Sequence, residues 1–252
     1  MQQLLQRSLF LFLAAGLAVG CSSTGATQTA TRADASAPAA AQDTAATAAP
    51  ARPAALAQAV QYANAFQQQL STYEAQRQAA LEALTNATST ALARLDSVSQ
   101  PADLRAVTET WRQQWTAAAR ATEQLGDQFT DVETSGTRYF NQLNRQTARI
   151  ANPELRASEL ENNLALQRAW TQQLQQSAAD LRDVRLLVNA GNDVFVTLLN
   201  ASLRPGTTQV KAQVQELQED AQALLEELYA VTSAGYELVG TPPSASAPTA
   251  AK

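Results

Sequence analysis

The sequence predicts an all-α protein, an elongated antiparallel four-helix bundle of the coiled-coil type. Apolar residues recur at intervals of three and four, whereas the strict alternation typical of strands is rare. Alanine and glutamine, which helices accept well, fill most of the intervening positions. Prolines lie where the apolar stripes end, so short breaks separate the predicted helices.

Three proline-containing breaks, at 99–101, 152–154 and 204–207, divide the body into four predicted helices. These helices span 54–98, 101–150, 153–203 and 207–239. Connections this short require consecutive helices to run antiparallel. We expect Asn152 to cap the helix that starts at Pro153, and Thr207 or Thr208 to cap the last one.

The last predicted helix has the clearest apolar periodicity, with steps of four and three residues. Its stripe consists of Val210, Val214, Leu217, Ala221, Leu224, Leu228 and Val231. Weak points are expected at 85–90, at 134–136 and at Gly191, where the third helix either breaks or, as we favour, continues with a kink.

Aromatic residues such as Trp111, Trp115 and Trp170 lie on the stripes, so we expect them in the core. The apolar run 194–199 covers every face of a helix, and one wall of a bundle cannot turn all of it inward. We therefore regard four of its residues as candidates for contact with a partner protein or with a second copy of the chain. They are Val194, Phe195, Leu198 and Leu199.

Composition excludes several classes of chemistry. The chain has no histidine and one cysteine, so the usual zinc, haem and copper ligand sets and disulfides cannot form. Neither a calcium loop nor a glycine-rich phosphate loop occurs, and the acidic group Glu216, Glu219 and Asp220 is typical of a solvated face. A net charge of -5 without a basic cluster argues against nucleic acid. We expect no catalysis and no cofactor.

The N-terminus resembles a bacterial lipoprotein signal. Arg7 follows the amino terminus, the uncharged run 8–20 is too short to span a bilayer comfortably, and Leu17-Ala18-Val19-Gly20 directly precedes Cys21. The resemblance implies that residues 1–20 are removed and that Cys21 is acylated, which would anchor the chain in a membrane. Ser22, which is not aspartate, implies the outer membrane, facing the periplasm. A transmembrane anchor and a general secretory signal are the alternatives.

Composition also predicts the organisation of the exported part. Residues 21–53 would form a lipidated, disordered stalk of Ala, Thr, Ser and Pro, residues 54–239 the helical bundle, and residues 240–252 a disordered tail. Residues 131–237 weakly resemble an uncharacterised family of long-helix bacterial envelope proteins, which implies a helical envelope protein. Lys252 is similar in position to the lysine by which the murein-linked lipoprotein of enteric bacteria joins peptidoglycan, although a solvated lysine without a role is the favoured interpretation.

The leading hypothesis from the sequence is a membrane-tethered scaffold or protein-interaction lipoprotein of the cell envelope. The alternative is a carrier of a lipid or another hydrophobic ligand, with the small residues of the stripes leaving room between the helices.

Overall fold

A computed structural model describes residues 51–203 and 208–240, with side chains from Ala57 onward except that of Pro101. These residues are all-α, as predicted. The helices are α1 (Ala51–Asp96), α2 (Pro101–Thr147), α3 (Pro153–Ala201), α4 (Thr208–Glu227) and α5 (Tyr229–Val239). The predicted signal, stalk and tail, with Cys21 and Lys252, lie outside the described residues, as does the predicted cap Thr207.

The helices form an antiparallel bundle with four positions, and α4 and α5 together fill the fourth. The helix α1 packs against α2 and against α4 and α5, and α3 completes the ring by packing against the same neighbours. Gln76 of α1 donates to the Gln124 side chain of α2 at 3.2 Å, and Lys211 at the start of α4 pairs with Asp96 at the end of α1 at 2.5 Å. The predicted antiparallel order is therefore confirmed.

Side-chain caps fix the starts of α2 and α3. The Asn152 side chain accepts hydrogen bonds from the backbone N–H groups of Glu154 and Leu155, as predicted. At the start of α2, the Asp103 carboxylate accepts from the backbone N–H groups of Ser99 and Gln100 at 3.0 and 2.9 Å. These bonds satisfy donors that a helix N-terminus leaves without an intrahelical partner.

The third helix runs through Gly191 without a break. Trp111 and Trp115 of α2 stack on each other at 4.7 Å between ring centroids and donate their indole N–H groups to the α3 carbonyls of Gly191 and Val188. A Cβ atom at Gly191 would overlap the Trp115 ring. Glycine at this position therefore lets α2 and α3 approach closely. All three tryptophans are buried, which confirms their predicted place in the core.

The last predicted helix is interrupted at Leu228, which corrects the prediction of one helix over 207–239. One position of the predicted stripe is also wrong, because Leu225 is fully buried whereas Leu224 is only partly buried, but the other six residues of the stripe are buried as predicted. Two α1 side chains reach carbonyls around the interruption: Tyr73 donates to Leu228 at 3.2 Å, and Arg77 donates to Leu225 at 2.7 Å. These bonds compensate for the local departure from regular helical hydrogen bonding.

Candidate interaction surface

The four residues predicted to make partner contacts divide between the core and the surface. Val194 and Leu198 are buried in the core. They are four residues apart and therefore lie on the same face of α3. Phe195 is partly buried against the core, and Leu199 is about half exposed. Val196, which the prediction omitted, is exposed to a similar degree. The outward part of this run is therefore Val196 and Leu199, whereas Val194 and Leu198 stabilise the bundle.

Exposed apolar side chains concentrate on α3. Among the described side chains, the large hydrophobic residues that are exposed fall mainly on this helix or directly after it. The exposed residues on α3 or in the following turn are Leu155, Leu164, Leu166, Leu186, Val196, Leu199 and Leu203, whereas Val60 and Tyr229 lie elsewhere. These residues are distributed along the whole of α3, so this helix carries most of the exposed large apolar side chains among the described residues.

The end of α5 is fixed by side chains from two other helices. Gln67 of α1 donates its side-chain amide to the carbonyls of Val239 and Gly240 at 2.8 and 2.9 Å. Tyr139 of α2 donates its hydroxyl to the Leu238 carbonyl at 3.3 Å. Gly240 has φ 79°, a conformation that suits glycine at a helix end. The helix α5 therefore ends level with Gln67 and Tyr139.

Beyond this level, α1, α2 and α3 continue without a fourth helix among the described residues. We define the three-helix end as residues 57–66 of α1, 140–147 of α2 and 153–166 of α3. From Gln67 back to its first residue, α1 extends about 24 Å at 1.5 Å per residue. An aromatic cluster lies at the base of this end: Phe66 contacts Tyr139 at 5.8 Å and Trp170 at 5.3 Å between ring centroids.

The three-helix end carries exposed apolar side chains next to a small polar cluster. Val60, Leu155, Leu164 and Leu166 are each about half exposed here. Between α2 and α3, the buried Asn163 side chain donates to the Thr147 hydroxyl at 2.9 Å and to the Asn144 side-chain oxygen at 3.3 Å. This polar cluster fixes α2 against α3, so the apolar residues lie on an ordered surface.

A groove of about 210 Å³ lies between α2 and α3, next to the aromatic cluster. Its walls combine apolar and polar side chains. The apolar ones include Phe129, Phe140, Trp170 and Leu174, and the polar ones are Glu133, Thr137, Gln167, Thr171 and Gln175. The volume is below the range of about 300–1,000 Å³ that is typical of small-molecule sites. The buried indole N–H of Trp170 lacks a hydrogen-bond acceptor, and its ring meets Phe66 edge to face.

An ion pair between the buried Arg77 and the partly buried Glu74 joins the middle of α1 to the interruption between α4 and α5. Arg77 donates to Glu74 at 2.6 and 2.9 Å, its guanidinium lies 5.3 Å from the centre of the Tyr229 ring, and the Thr232 hydroxyl donates to Glu74 at 3.1 Å. Burial on its own would raise the pKa of Glu74, but hydrogen bonds from Arg77, Gln78 and Thr232 outweigh it and lower this pKa.

The acidic residues on α4 are exposed, in keeping with a solvated face. The pKa of Asp220 is raised, mainly because its carboxyl group is partly shielded from water and to a lesser extent because Glu216 and Glu219 bring negative charge nearby. Within residues 51–203 and 208–240, no group of three or more acidic, histidine or cysteine side chains is placed to hold a metal ion. None of the helices in these ranges is both long and apolar enough to cross a membrane.

No family model, curated protein or solved structure matches this chain, so the resemblances seen in the sequence remain predictions.

Proposed function

We propose that this protein is a membrane-tethered scaffold or protein-interaction lipoprotein of the bacterial cell envelope, without catalytic activity. The observation that carries the proposal is the sequence Leu17-Ala18-Val19-Gly20-Cys21, followed by a stalk-like segment and then a folded bundle. Acylation of Cys21 would provide the anchor, because two or three acyl chains hold a protein on a bilayer far more firmly than one. Ser22 favours the outer membrane, with the bundle in the periplasm.

The bundle supports an interaction role through its surface. Most of the large apolar side chains that the described fold leaves exposed lie on α3. In the bundle interior, in contrast, large side chains fill the space beside three of the glycines. Trp115 packs against Gly191, Trp170 against Gly136 and Leu70 against Gly235. These contacts support the scaffold over the hydrophobic-ligand carrier.

Labelling with radioactive palmitate tests the tether. Cells would express the wild type, Cys21→Ser and, as a control beside the acylated position, Ser23→Ala. We expect the wild type and Ser23→Ala to incorporate label and to sediment with outer membrane. Cys21→Ser would incorporate no label and would be released or left unprocessed, because no thiol remains to accept the lipid. An unlabelled wild type, together with Cys21→Ser in the outer-membrane fraction, would contradict the proposal.

A further inference from the structure

We propose that α5 is a strap, a short helix that detaches from α1 and α3 as one unit while α1, α2, α3 and α4 remain packed. Leu228 would be the hinge. In the closed state α5 covers Leu70 of α1, and in the open state this side chain would face water. The opening would be a property of the folded bundle, with or without the lipid tether.

The backbone departs from regular α-helical hydrogen bonding at the proposed hinge. The N–H group of Val231 donates to the carbonyl of Leu228, three residues back, at 3.3 Å, whereas an α-helix uses a spacing of four. Three-residue spacing inside a helix often marks a hinge. The carbonyls of Leu225 and Leu228 accept hydrogen bonds from side chains of α1 instead. The junction of α4 and α5 is therefore bonded to α1 from outside the helix.

The helix α5 depends on the surface against which it packs. It has 11 residues, and isolated helices shorter than about 12–15 residues are marginal in water. Its buried residues are Val231, Thr232 and Gly235, whereas Tyr236 and Leu238 are only partly buried. Segments with few buried apolar contacts open at a lower free energy than the rest of a fold. We therefore expect α5 to open before the other helices.

The start of α5 is held by a polar contact that opening would break at small cost. The Thr232 hydroxyl donates to the Glu74 carboxylate at 3.1 Å, and the Tyr229 ring lies 5.3 Å from the guanidinium of Arg77. Glu74 and Arg77 both belong to α1, three residues apart. Their ion pair can therefore persist in the open state, which loses only the contacts with α5.

The middle and the end of α5 are held by other side chains. Leu70 is fully buried and lies against Gly235, where a Cβ atom would overlap it. At the end, Gln67 of α1 donates to the carbonyls of 239 and 240, and Tyr139 of α2 donates to the carbonyl of 238. Contacts at both ends and in the middle of one short helix favour opening as a unit, because losing one end weakens the helix that presents the other.

Hydrogen exchange of the full chain at urea concentrations below the unfolding transition tests the proposal. Mass spectrometry would compare the amides of 231–240 in α5 with those of 212–227 in α4. In the wild type we expect 231–240 to exchange together and at least about tenfold faster than 212–227, because α5 opens without global unfolding. This comparison needs no substitution, so it does not depend on whether a variant folds.

Two variants weaken opposite ends of α5. Glu74→Gln should speed exchange throughout 231–240 about tenfold, because the closed state then buries its arginine partner without a carboxylate. Gln67→Ala should speed exchange of the same amides about threefold, because two carbonyls lose their donor. The matched controls should leave exchange unchanged. They are Glu109→Gln, from an exposed pair of the same spacing, and Gln68→Ala, at an exposed neighbouring position.

Three results would overturn the proposal. If 231–240 exchange at the same rate as 212–227 at every urea concentration, α5 opens only when the whole bundle unfolds. If 212–227 and 231–240 both open ahead of α1, α2 and α3, the hinge does not lie at Leu228. If Gln67→Ala speeds exchange only in 237–240, α5 frays from its end and is not a strap.

Discussion

Single glycines decide how closely the helices approach. At Gly191 the backbone of α3 meets the Trp115 ring, and the indole N–H groups of Trp111 and Trp115 both donate to α3 carbonyls. The sequence predicts a weak point at Gly191, because glycine lowers helix propensity. It could not predict the tryptophan that occupies the space, because that contact depends on the register between α2 and α3.

Gly191→Ala should therefore destabilise the bundle even though alanine is the better helix former. The added Cβ would overlap the Trp115 ring, and overpacking of this kind costs about 1–3 kcal/mol of unfolding free energy. Gly126→Ala is the matched control, since its Cβ would meet only the end of the Arg185 side chain, at 3.2 Å. Its unfolding free energy should be unchanged or up to about 1 kcal/mol higher. Urea unfolding followed by circular dichroism measures both, and equal effects would contradict this explanation.

The pair of Glu74 and Arg77 was not predicted from the sequence, where glutamate and arginine three residues apart resemble any exposed helical pair. Its burial depends on α5, which brings Thr232 and Tyr229 to α1. Because the folded state lowers the pKa of Glu74, the stabilisation is present above the pKa of the unfolded chain. It is lost as pH falls through the lower folded value.

Glu74→Gln should thus be less stable than the wild type at neutral pH, and the difference should shrink from about pH 5 downward. The variant leaves the buried Arg77 without its carboxylate partner. Glu109→Gln removes the same i,i+3 pairing from an exposed arginine, Arg112, and should change stability little at any pH. Urea unfolding at pH 7, 5 and 3.5 provides the comparison. A constant difference between the wild type and Glu74→Gln would exclude the assigned linkage.

At the scale of elements, boundaries follow from local chemistry that the sequence displays. Asn152 before Pro153 predicts the start of α3, and the structure confirms it. The interruption at Leu228 is different, because both Leu224 and Leu225 are apolar and either can continue the stripe. Tyr73 and Arg77 of α1 donate hydrogen bonds to the carbonyls of Leu228 and Leu225 and so favour the interruption at this place. These partners are distant in sequence, so the sequence pattern of α4 does not reveal them.

Asn152→Ala should lower the unfolding free energy by about 1 kcal/mol, because two backbone N–H groups at the start of α3 lose their acceptor. Asn162→Ala provides a control inside the same helix, where Asn162 is exposed. This variant should be neutral or slightly stabilising, because alanine favours the helix interior. If both variants lose the same free energy in urea unfolding, the Asn152 side chain does not act as a cap.

At the scale of the whole molecule, periodicity and proline positions suffice to predict an antiparallel four-helix bundle. They do not reveal the three-helix end directly, because exposure depends on where α5 stops beside Gln67 and Tyr139. The unequal lengths of the predicted helices nevertheless indicate such an end, since 207–239 is much shorter than 153–203. Among the described residues, the shorter fourth helix leaves part of its longer neighbours without a fourth helix beside them.

Mass spectrometry of the N-terminal tryptic peptide, from protein purified from the cell envelope, tests whether the chain is attached to a membrane through Cys21. We expect a peptide spanning 21–32 that carries a diacylglyceryl group, because Arg32 is the first basic residue after Cys21. An unmodified peptide beginning at Cys21, or an uncleaved peptide spanning 8–32, would contradict it.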